Sequence, residues 1–361
     1  MLNEPSTGTD LDLGNRCSKT AYTWAQATFH LRKGLPGAPV MPVDGAFSNL
    51  MAYGPVRIAM TSDGIGTKVE IAERTGIYET LGFDLVAMVA DDLAANGIEP
   101  TNLSNILDVD VLDHSIVDRL MKGLHDAASF SRIAVTGGEI AELGGRIGGY
   151  GPGMHFNWCA TAIGILPPGR EPITGTGISA NDTVIALRSP GFRSNGFSRA
   201  RRILEEHYGE NWHAQRFVGS TWGAALLTPS VIYAPLVTKL LEADIPVGGI
   251  AHITGGGVPD NLGRVLRVKG LGAILDSLFP PAESMKSLQA LGGISDETAY
   301  RQWNMGNGML LVVPPERADE VLSMAASHGY EARTAGRITG SPGIVIKTGS
   351  HTELHYAKTS K

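Results

Sequence analysis

The stretch TSDGIGTKVE, residues 61–70, sets a carboxylate, Asp63, and a lysine, Lys68, around Gly64, Gly66 and Thr67, directly after the strand-like run VRIAM. A strand that ends in small, flexible residues leaves backbone N–H groups free to meet an anion. The lysine adds a point charge suited to phosphate, and the aspartate could hold a divalent cation that bridges phosphates. A tight turn whose aspartate caps the next helix accounts for the same residues. The spacing is neither that of a Walker A loop nor that of a Rossmann fingerprint. A second acidic group lies in GFDLVAMVADDLAANGIEP, read as a helix. At about 100° per residue, Phe83, Val86, Ala87, Ala90, Leu93, Ala94 and Gly97 form one apolar stripe, with Asp92 nearly opposite its centre and Asp91 and Asp84 at its edge. An exposed helical carboxylate is usually only solvated, so a metal role for Asp92 requires partners from elsewhere.

Such partners could come from TGGEIAELGG, residues 136–145. Gly137 and Gly138 permit an irregular turn after a strand and deliver Glu139 to its end, where α/β proteins place ligand-binding groups; Glu142 follows at the spacing of one helical turn. The glycine-rich RIGGYGPG that comes next reads as a mobile loop able to close over a site, or as a plain connector. In FRSNGFS (192–198) and HITGGGVPDNL (252–262), short polar side chains and glycines precede expected helices. Ser194, Asn195, Thr254 and Gly255 to Gly257 could therefore offer donors to a phosphate at a helix N-terminus. Capping alone would explain Ser194 or Asn195, whereas three consecutive glycines cost conformational entropy without adding packing. His252 is expected to be a structural histidine rather than a catalytic one.

The elements that must position these groups alternate. Strands are expected at 56–60, at IAVTGG, where the chain runs into a turn, and at 155–166, with helices at 82–97 and 115–129. A helix near AYTWAQATFHLRKG and a Pro/Gly-rich turn, LPGAPVMP, precede them. The segment 167–182, rich in Pro, Gly and Thr, divides the chain into expected domains of 1–170 and 171–361. The second series begins with the strand TVIALRS, continues with helices through FSRARRILEEHY and SVIYAPLVTKLLEAD, and ends with GMLLVVP, a helix near ADEVLSMAASHG, and GIVIKT. Alternation in both halves indicates α/β, with α+β-like layers as the variant.

Composition narrows the function classes. The 361 residues are 43% hydrophobic with a formal charge of −6 and no block of Lys or Arg, which argues for a soluble globular protein without a nucleic-acid footprint or a membrane-surface patch. Cys17 and Cys159 make neither a disulfide framework nor a zinc ligand set, so a reducing cytoplasm is the expected setting. No apolar run approaches the roughly 20 residues of a membrane span, and the N-terminus has no signal-peptide pattern.

Taken in order, SDGIGTK, GFDLVAMVADDLAANGIEP, GGEIAELGG, SNGFSRARRIL, LLTPSVIY, AHITGGGVPDNLGRVL and WNMGNGMLLVV resemble the phosphoribosylformylglycinamidine cyclo-ligases, the aminoimidazole ribonucleotide synthetases of purine biosynthesis. The resemblance implies two α/β domains, a homodimer whose N-terminal sheets join, and use of ATP with Mg2+ on a small nucleotide substrate. In that family the formyl-derived oxygen is phosphorylated, an internal nitrogen closes the ring, and ADP and phosphate leave. It implies magnesium held by Asp63, Asp92 and Glu139, and catalytic roles for Lys68, Asp92 and Glu139. Nucleotide contacts would come from Asp63, Gly64, Gly66, Thr67, Lys68, Asp91, Gly137 and Gly138. Substrate contacts would come from Arg193, Ser194, Asn195, Gly196, Thr254, Gly255, Gly256 and Gly257. Other ATP-dependent enzymes of the superfamily, such as thiamine phosphate kinase, and a non-catalytic nucleotide-binding paralogue are the alternatives. The chain departs from the family pattern in having Asp91 where Asn is usual, Arg193 where a His-Ser-Asn-Gly motif has its histidine, and no recognisable Tyr-x-x-Ala-Gly-Val-Asp segment. A guanidinium does not exchange a proton near neutral pH, so Arg193 is expected to anchor a phosphate.

Overall fold

The computed structural model describes residues 11–40, 46–349 and 352–357. After helix α1 (Leu11–Ala27), which begins earlier than expected, come the strands of a first sheet: β1 (Ala38–Pro39), β2 (Asn49–Tyr53), β3 (Val56–Gly64), β4 (Glu99–Val109), β5 (Ala134–Glu142) and β6 (Phe156–Leu166). The end of the LPGAPVMP turn lies outside the described residues. The strand order is β1-β2-β3-β6-β4-β5, antiparallel except between β4 and β5. Along β6 the chain alternates buried Phe156, Trp158, Ala160 and Ala162 with more exposed Asn157, Cys159, Thr161 and Ile163, so one face is covered and the other open. Helices α2 (Val69–Thr75), α3 (Leu81–Ala94) and α4 (His114–Ser131) are interleaved with these strands, and α3 lies against β3, β4 and β6.

The second sheet gathers β7 (Thr183–Arg188), β10 (Gly249–His252), β11 (Gly272–Leu275), β12 (Asn307–Val313), β13 (Ala332–Thr339), β14 (Gly343–Lys347) and β15 (Glu353–Tyr356); β8 (Arg216–Phe217) and β9 (Ser220–Thr221) form a separate ribbon. Its order is β10-β12-β7-β13-β11-β14-β15, with only β11 and β14 parallel. Helices α5 (Phe197–Tyr208), α6 (Trp222–Leu226), α7 (Ala234–Glu242), α8 (Gly257–Leu266), α9 (Glu283–Leu291), α10 (Asp296–Gln302) and α11 (Ala318–Ser327) surround it. Both halves thus mix helices and strands as expected, with largely antiparallel pairing.

Two local expectations need correction. β3 continues past VRIAM, so Asp63 sits within a paired strand opposite Ala160. β5 likewise runs through GGEIAE, which places Gly137, Gly138 and Glu139 inside a strand and Glu142 at its end. A Cβ on Gly138 would lie 2.8 Å from Asn105 Nδ2 and 3.0 Å from Asn105 O. The glycine therefore serves close strand approach, next to a register shift between Leu103 and Ser104.

Helix α3 has no solvated face: Leu85, Val86, Ala90 and Leu93 are buried, and so, completely, are Asp84 and Asp91. Those two carboxylates stand two turns apart, about 10 Å along the axis, and both point at the segment 228–234 between α6 and α7. Asp84 Oδ1 accepts from Ser230 N (3.1 Å) and Ser230 Oγ (2.5 Å), and its carboxylate lies 2.7 Å from Lys68 Nζ, which also donates to Thr228 O at 2.8 Å. Asp91 Oδ1 accepts from Tyr233 N (2.8 Å) and Ala234 N (2.9 Å), capping α7, which has no side-chain cap of its own. Removing one partner of such a buried pair strands the other charge. Lys68→Met is expected to destabilise the fold by about 3–5 kcal/mol in urea denaturation. An unchanged midpoint would return Lys68 to the role of a phosphate ligand.

Candidate functional site

Three loops from different parts of the chain converge beside Asp63. A Cβ on Gly66 would lie 3.9 Å from Ser194 O, one on Gly255 would lie 3.7 Å from Asn195 Oδ1, and Thr67 Oγ1 is 3.3 Å from Ser198 Oγ. Gly64 to Thr67, Ser194 to Gly196 and Thr254 to Gly257 therefore share one cleft between the halves. Helices α5 and α8 both start there, each after a glycine and neither with a side-chain cap; Gly257 N at the head of α8 turns back to Thr254 O at 3.0 Å, and the N–H groups around it face the loops. Capping therefore does not account for Ser194 and Asn195. Ser194 Oγ, Asn195 Nδ2 and Trp303 Nε1 are buried without a hydrogen-bond partner in the protein. Trp303 packs against the Gly196 backbone, where a Cβ would fall 2.5 Å from its indole nitrogen. A buried tryptophan whose N–H lacks an acceptor is the signal that could have singled it out.

Below these loops lie the acids. Asp63 Oδ1 accepts only from its neighbour's amide, Gly64 N, at 2.7 Å. Asp92 Oδ1 lies 2.8 Å from His252 Nδ1, and the Asp92 side chain keeps 18% exposure, the one acid of α3 open to the cleft. Burial pushes Asp92 up to about 7 despite the opposing charges of Arg264 and Arg193. Burial also raises Asp63 to about 6; the Gly64 amide counters it and the charge of Asp92 adds to it. Two carboxylates that are hard to ionise side by side, each with an oxygen not used by the protein, are the donor set that a small divalent cation with phosphate and water ligands requires. The residues present fit magnesium on that ground. Phe47 lies beside His252, ring centroids 6.4 Å apart, and the Arg264 guanidinium sits over the Phe47 ring at 4.6 Å.

Other expected site residues are elsewhere. Lys68 is sealed against Asp84 and faces no cleft. Asp91 and Arg193 are also sealed: Arg193 Nη2 donates to Asp91 Oδ2 at 2.7 Å and Nη1 to Val231 O at 2.9 Å, with the guanidinium over the Tyr233 ring at 4.9 Å. Arg193 is 1% exposed and its fork is turned inward, so the expected phosphate anchor is instead a bolt between the halves. The two departures from the family pattern, at 91 and 193, are thus a single ion pair. Glu139 pairs with Ile106, Ile106 with Cys159 and Cys159 with Gly64, a row on the open face of the sheet. Asp63 belongs to the opposite face and lies three strand spacings, roughly 14 Å, from Gly138. One protomer cannot bring Glu139, or Gly137 and Gly138, to the ion that Asp63 and Asp92 would hold. Among the described residues no group of three or more His, Cys, Asp or Glu forms a metal cluster.

The glycine-rich loop 146–153 is fastened rather than free. Tyr150 N donates to Glu73 at 2.9 Å and Tyr150 stacks under Arg74 at 3.8 Å, while His155 bridges Gly151 O (3.0 Å) and Asp110 Oδ2 (2.6 Å). Both ring nitrogens of His155 face acceptors, so only the imidazolium satisfies both. Partial burial lowers its pKa, but Asp110, Glu73 and the Gly151 carbonyl raise it on balance. A raised folded pKa means that the anchorage is complete below the ordinary value of about 6.5 and is lost as pH rises through the folded value. Amide exchange over 147–153, corrected for intrinsic rates, is expected to accelerate across that rise in the native chain and not in His155→Gln. For the interdomain bolt, Asp91→Asn is expected to cost about 3–5 kcal/mol in urea denaturation, and Asp91→Asn with Arg193→His to recover more than half of it. Strictly additive losses would show that the two positions are not coupled.

Residues 47–166 match the family described as AIR synthase related protein, N-terminal domain, and residues 179–349 its C-terminal domain. The phosphoribosylformylglycinamidine cyclo-ligase of Thermococcus gammatolerans is 37% identical over 96% of this chain and 98% of that protein, and that of Thermococcus kodakarensis 35% identical over the same shares. Among solved structures, hydrogenase maturation protein HypE in complex with ATP superposes with a TM-score of 0.60 at 16% identity, covering 89% of this chain and 91% of that one; at such identity it shows the fold alone. With both domains matched and relatives this similar over nearly its whole length, the chain belongs to the phosphoribosylformylglycinamidine cyclo-ligase family.

Proposed function

We propose that this chain uses ATP to close the imidazole ring of formylglycinamidine ribonucleotide, giving aminoimidazole ribonucleotide, ADP and phosphate. The observation that carries the reading is the pairing of Asp63 and Asp92 beneath two uncapped helix N-termini in one interdomain cleft. The formyl-derived oxygen attacks the γ-phosphorus and the bond to ADP breaks. The internal nitrogen then attacks the activated carbon, losing a proton as the carbon–oxygen bond to phosphate breaks. Phosphoryl transfer asks the protein mainly for position and charge stabilisation, and closure is intramolecular once the substrate is held.

Asp63 and Asp92 would hold magnesium, which offsets phosphate charge. Backbone amides of Gly66, Thr67, Gly255 and Gly256 hold phosphates, while those of Gly64 and Gly257 are kept by Asp63 and Thr254 O; Ser194 Oγ, Asn195 Nδ2, Gly196, Thr254 and Trp303 Nε1 orient the substrate. Glu139, with Gly137 and Gly138, takes part only through a second copy. The open sheet face supports that copy: Met60, Ile106, Ile163 and Ile165 are exposed there, an apolar surface that a dimer would cover. A division of the chain near residue 170 is supported by the first sheet ending at Leu166 and the second beginning at Thr183, and the buried Asp91–Arg193 ion pair gives the departures at 91 and 193 a shared structural role. Among the described residues no helix is long and apolar enough to cross a membrane.

ADP release is expected to require both formylglycinamidine ribonucleotide and magnesium; release that ignores the substrate would sink the cyclo-ligase reading. Asp63→Asn should lower turnover by roughly 100-fold or more with its melting temperature nearly unchanged, because the side chain makes one local bond. Sedimentation at micromolar concentration should show a species of twice 38.1 kDa, and a monomer alone would remove Glu139 from the site.

A further inference from the structure

We propose that Arg193 and His252 form a relay that positions the Asp92 carboxylate for its cation. The inference rests on the assignment of Asp92 as a cation ligand and goes beyond it by naming the groups that orient it. A guanidinium carries only donors, and Arg193 Nη2 lies 2.9 Å from His252 Nε2, so Nε2 must accept. The ring is then a neutral imidazole with its proton on Nδ1, and that proton is donated to Asp92 Oδ1 at 2.8 Å. The ring is fully buried and cannot exchange its partners with water.

Each link is itself held. Arg193 is fixed by Asp91 Oδ2 at 2.7 Å and Val231 O at 2.9 Å, and its backbone takes a left-handed φ of 60°, a strained conformation for a residue with a Cβ. His252 ends β10, paired through Met309 in the second sheet. Asp92 stands on α3, against the first sheet. The orientation of one acid in the N-terminal half is thereby set by a ring and a guanidinium from the C-terminal half. With Oδ1 committed to His252, the other oxygen is left to the cation, the arrangement in which an outer hydrogen bond fixes a ligating carboxylate. Arg193 and His252 are positioning residues in this account, and neither touches substrate.

The test has two arms. In the metal-free protein, nitrogen NMR of the His252 ring, assigned by its loss in His252→Asn, should show Nδ1 protonated and Nε2 bare; a protonated Nε2 overturns the relay. The second arm measures Mn2+-ADP affinity by titration calorimetry alongside melting temperature. His252→Gln keeps an acceptor for Arg193 and loses the donor to Asp92, so it should melt near the native temperature yet bind Mn2+-ADP roughly tenfold more weakly. His252→Asn keeps a donor within reach of Asp92 and loses the acceptor, so it should melt lower yet bind within about threefold of the native chain. A merely structural histidine would make affinity follow melting temperature in both variants, and that result overturns the relay. If Asp92→Asn binds Mn2+-ADP as the native chain does, the cation assignment fails and takes the relay with it. If Asp92→Asn loses binding while His252→Gln retains it, the relay alone fails.

Discussion

Two carboxylates on one helix, Asp84 and Asp91, hold the halves of this protein together by gripping the same short segment of the second half. Between Thr228 and Ala234, bonds from Lys68, Asp84, Arg193 and Asp91 engage Thr228 O, Ser230 N and Oγ, Val231 O, Tyr233 N and Ala234 N. A segment with this many buried polar backbone groups needs partners for them, and α3 and its two cationic neighbours provide them. Burial of each charge is tolerable only because every one of them is paired or hydrogen-bonded. The cleft that holds the candidate site is the consequence: its loops come from both halves and keep their spacing only while this grip holds.

Within that frame, the number of protein partners separates scaffold from chemistry. Asp91 has Tyr233 N, Ala234 N and Arg193 on its two oxygens and is fully buried, out of reach of a ligand. Asp63 and Asp92 are also deeply set but make one hydrogen bond each, and burial raises the pKa of both. The neighbouring residues Asp91 and Asp92, chemically identical in sequence, are thus assigned opposite work by about 100° of helical rotation.

The sequence discloses the order of elements and the loops that meet because glycine clusters and apolar periodicity are local signals. Helix α5 coincides with FSRARRILEEHY, and the glycine run directly precedes α8. Gly257 shows why that run is so rich: its φ is 62°, and a Cβ there would meet Tyr300 O at 1.9 Å. The roles of Lys68 and Arg193 are not legible locally, because a cation beside glycines looks the same in sequence whether it faces a phosphate or a carboxylate from a distant helix. That α3 is covered on every side follows from the second half folding over it, and no helical stripe announces it. Strand β4 gives no clear sequence signal because its polar Ser104 and Asp108 lie on the open face, breaking the apolar run. In sequence Gly137 and Gly138 resemble a turn that would put Glu139 at a strand end, whereas in the fold Gly138 lets two strands approach.

The most direct measurement is a crystal structure of the protein with magnesium and a non-hydrolysable ATP analogue. Magnesium should be bound by Asp63 and Asp92, the phosphates by the amides of Gly66, Thr67, Gly255 and Gly256, with Asp92 still bonded to His252 while Lys68 and Arg193 remain on Asp84 and Asp91. Lys68 or Arg193 swung out onto a phosphate oxygen, with its carboxylate partner abandoned, would contradict the account.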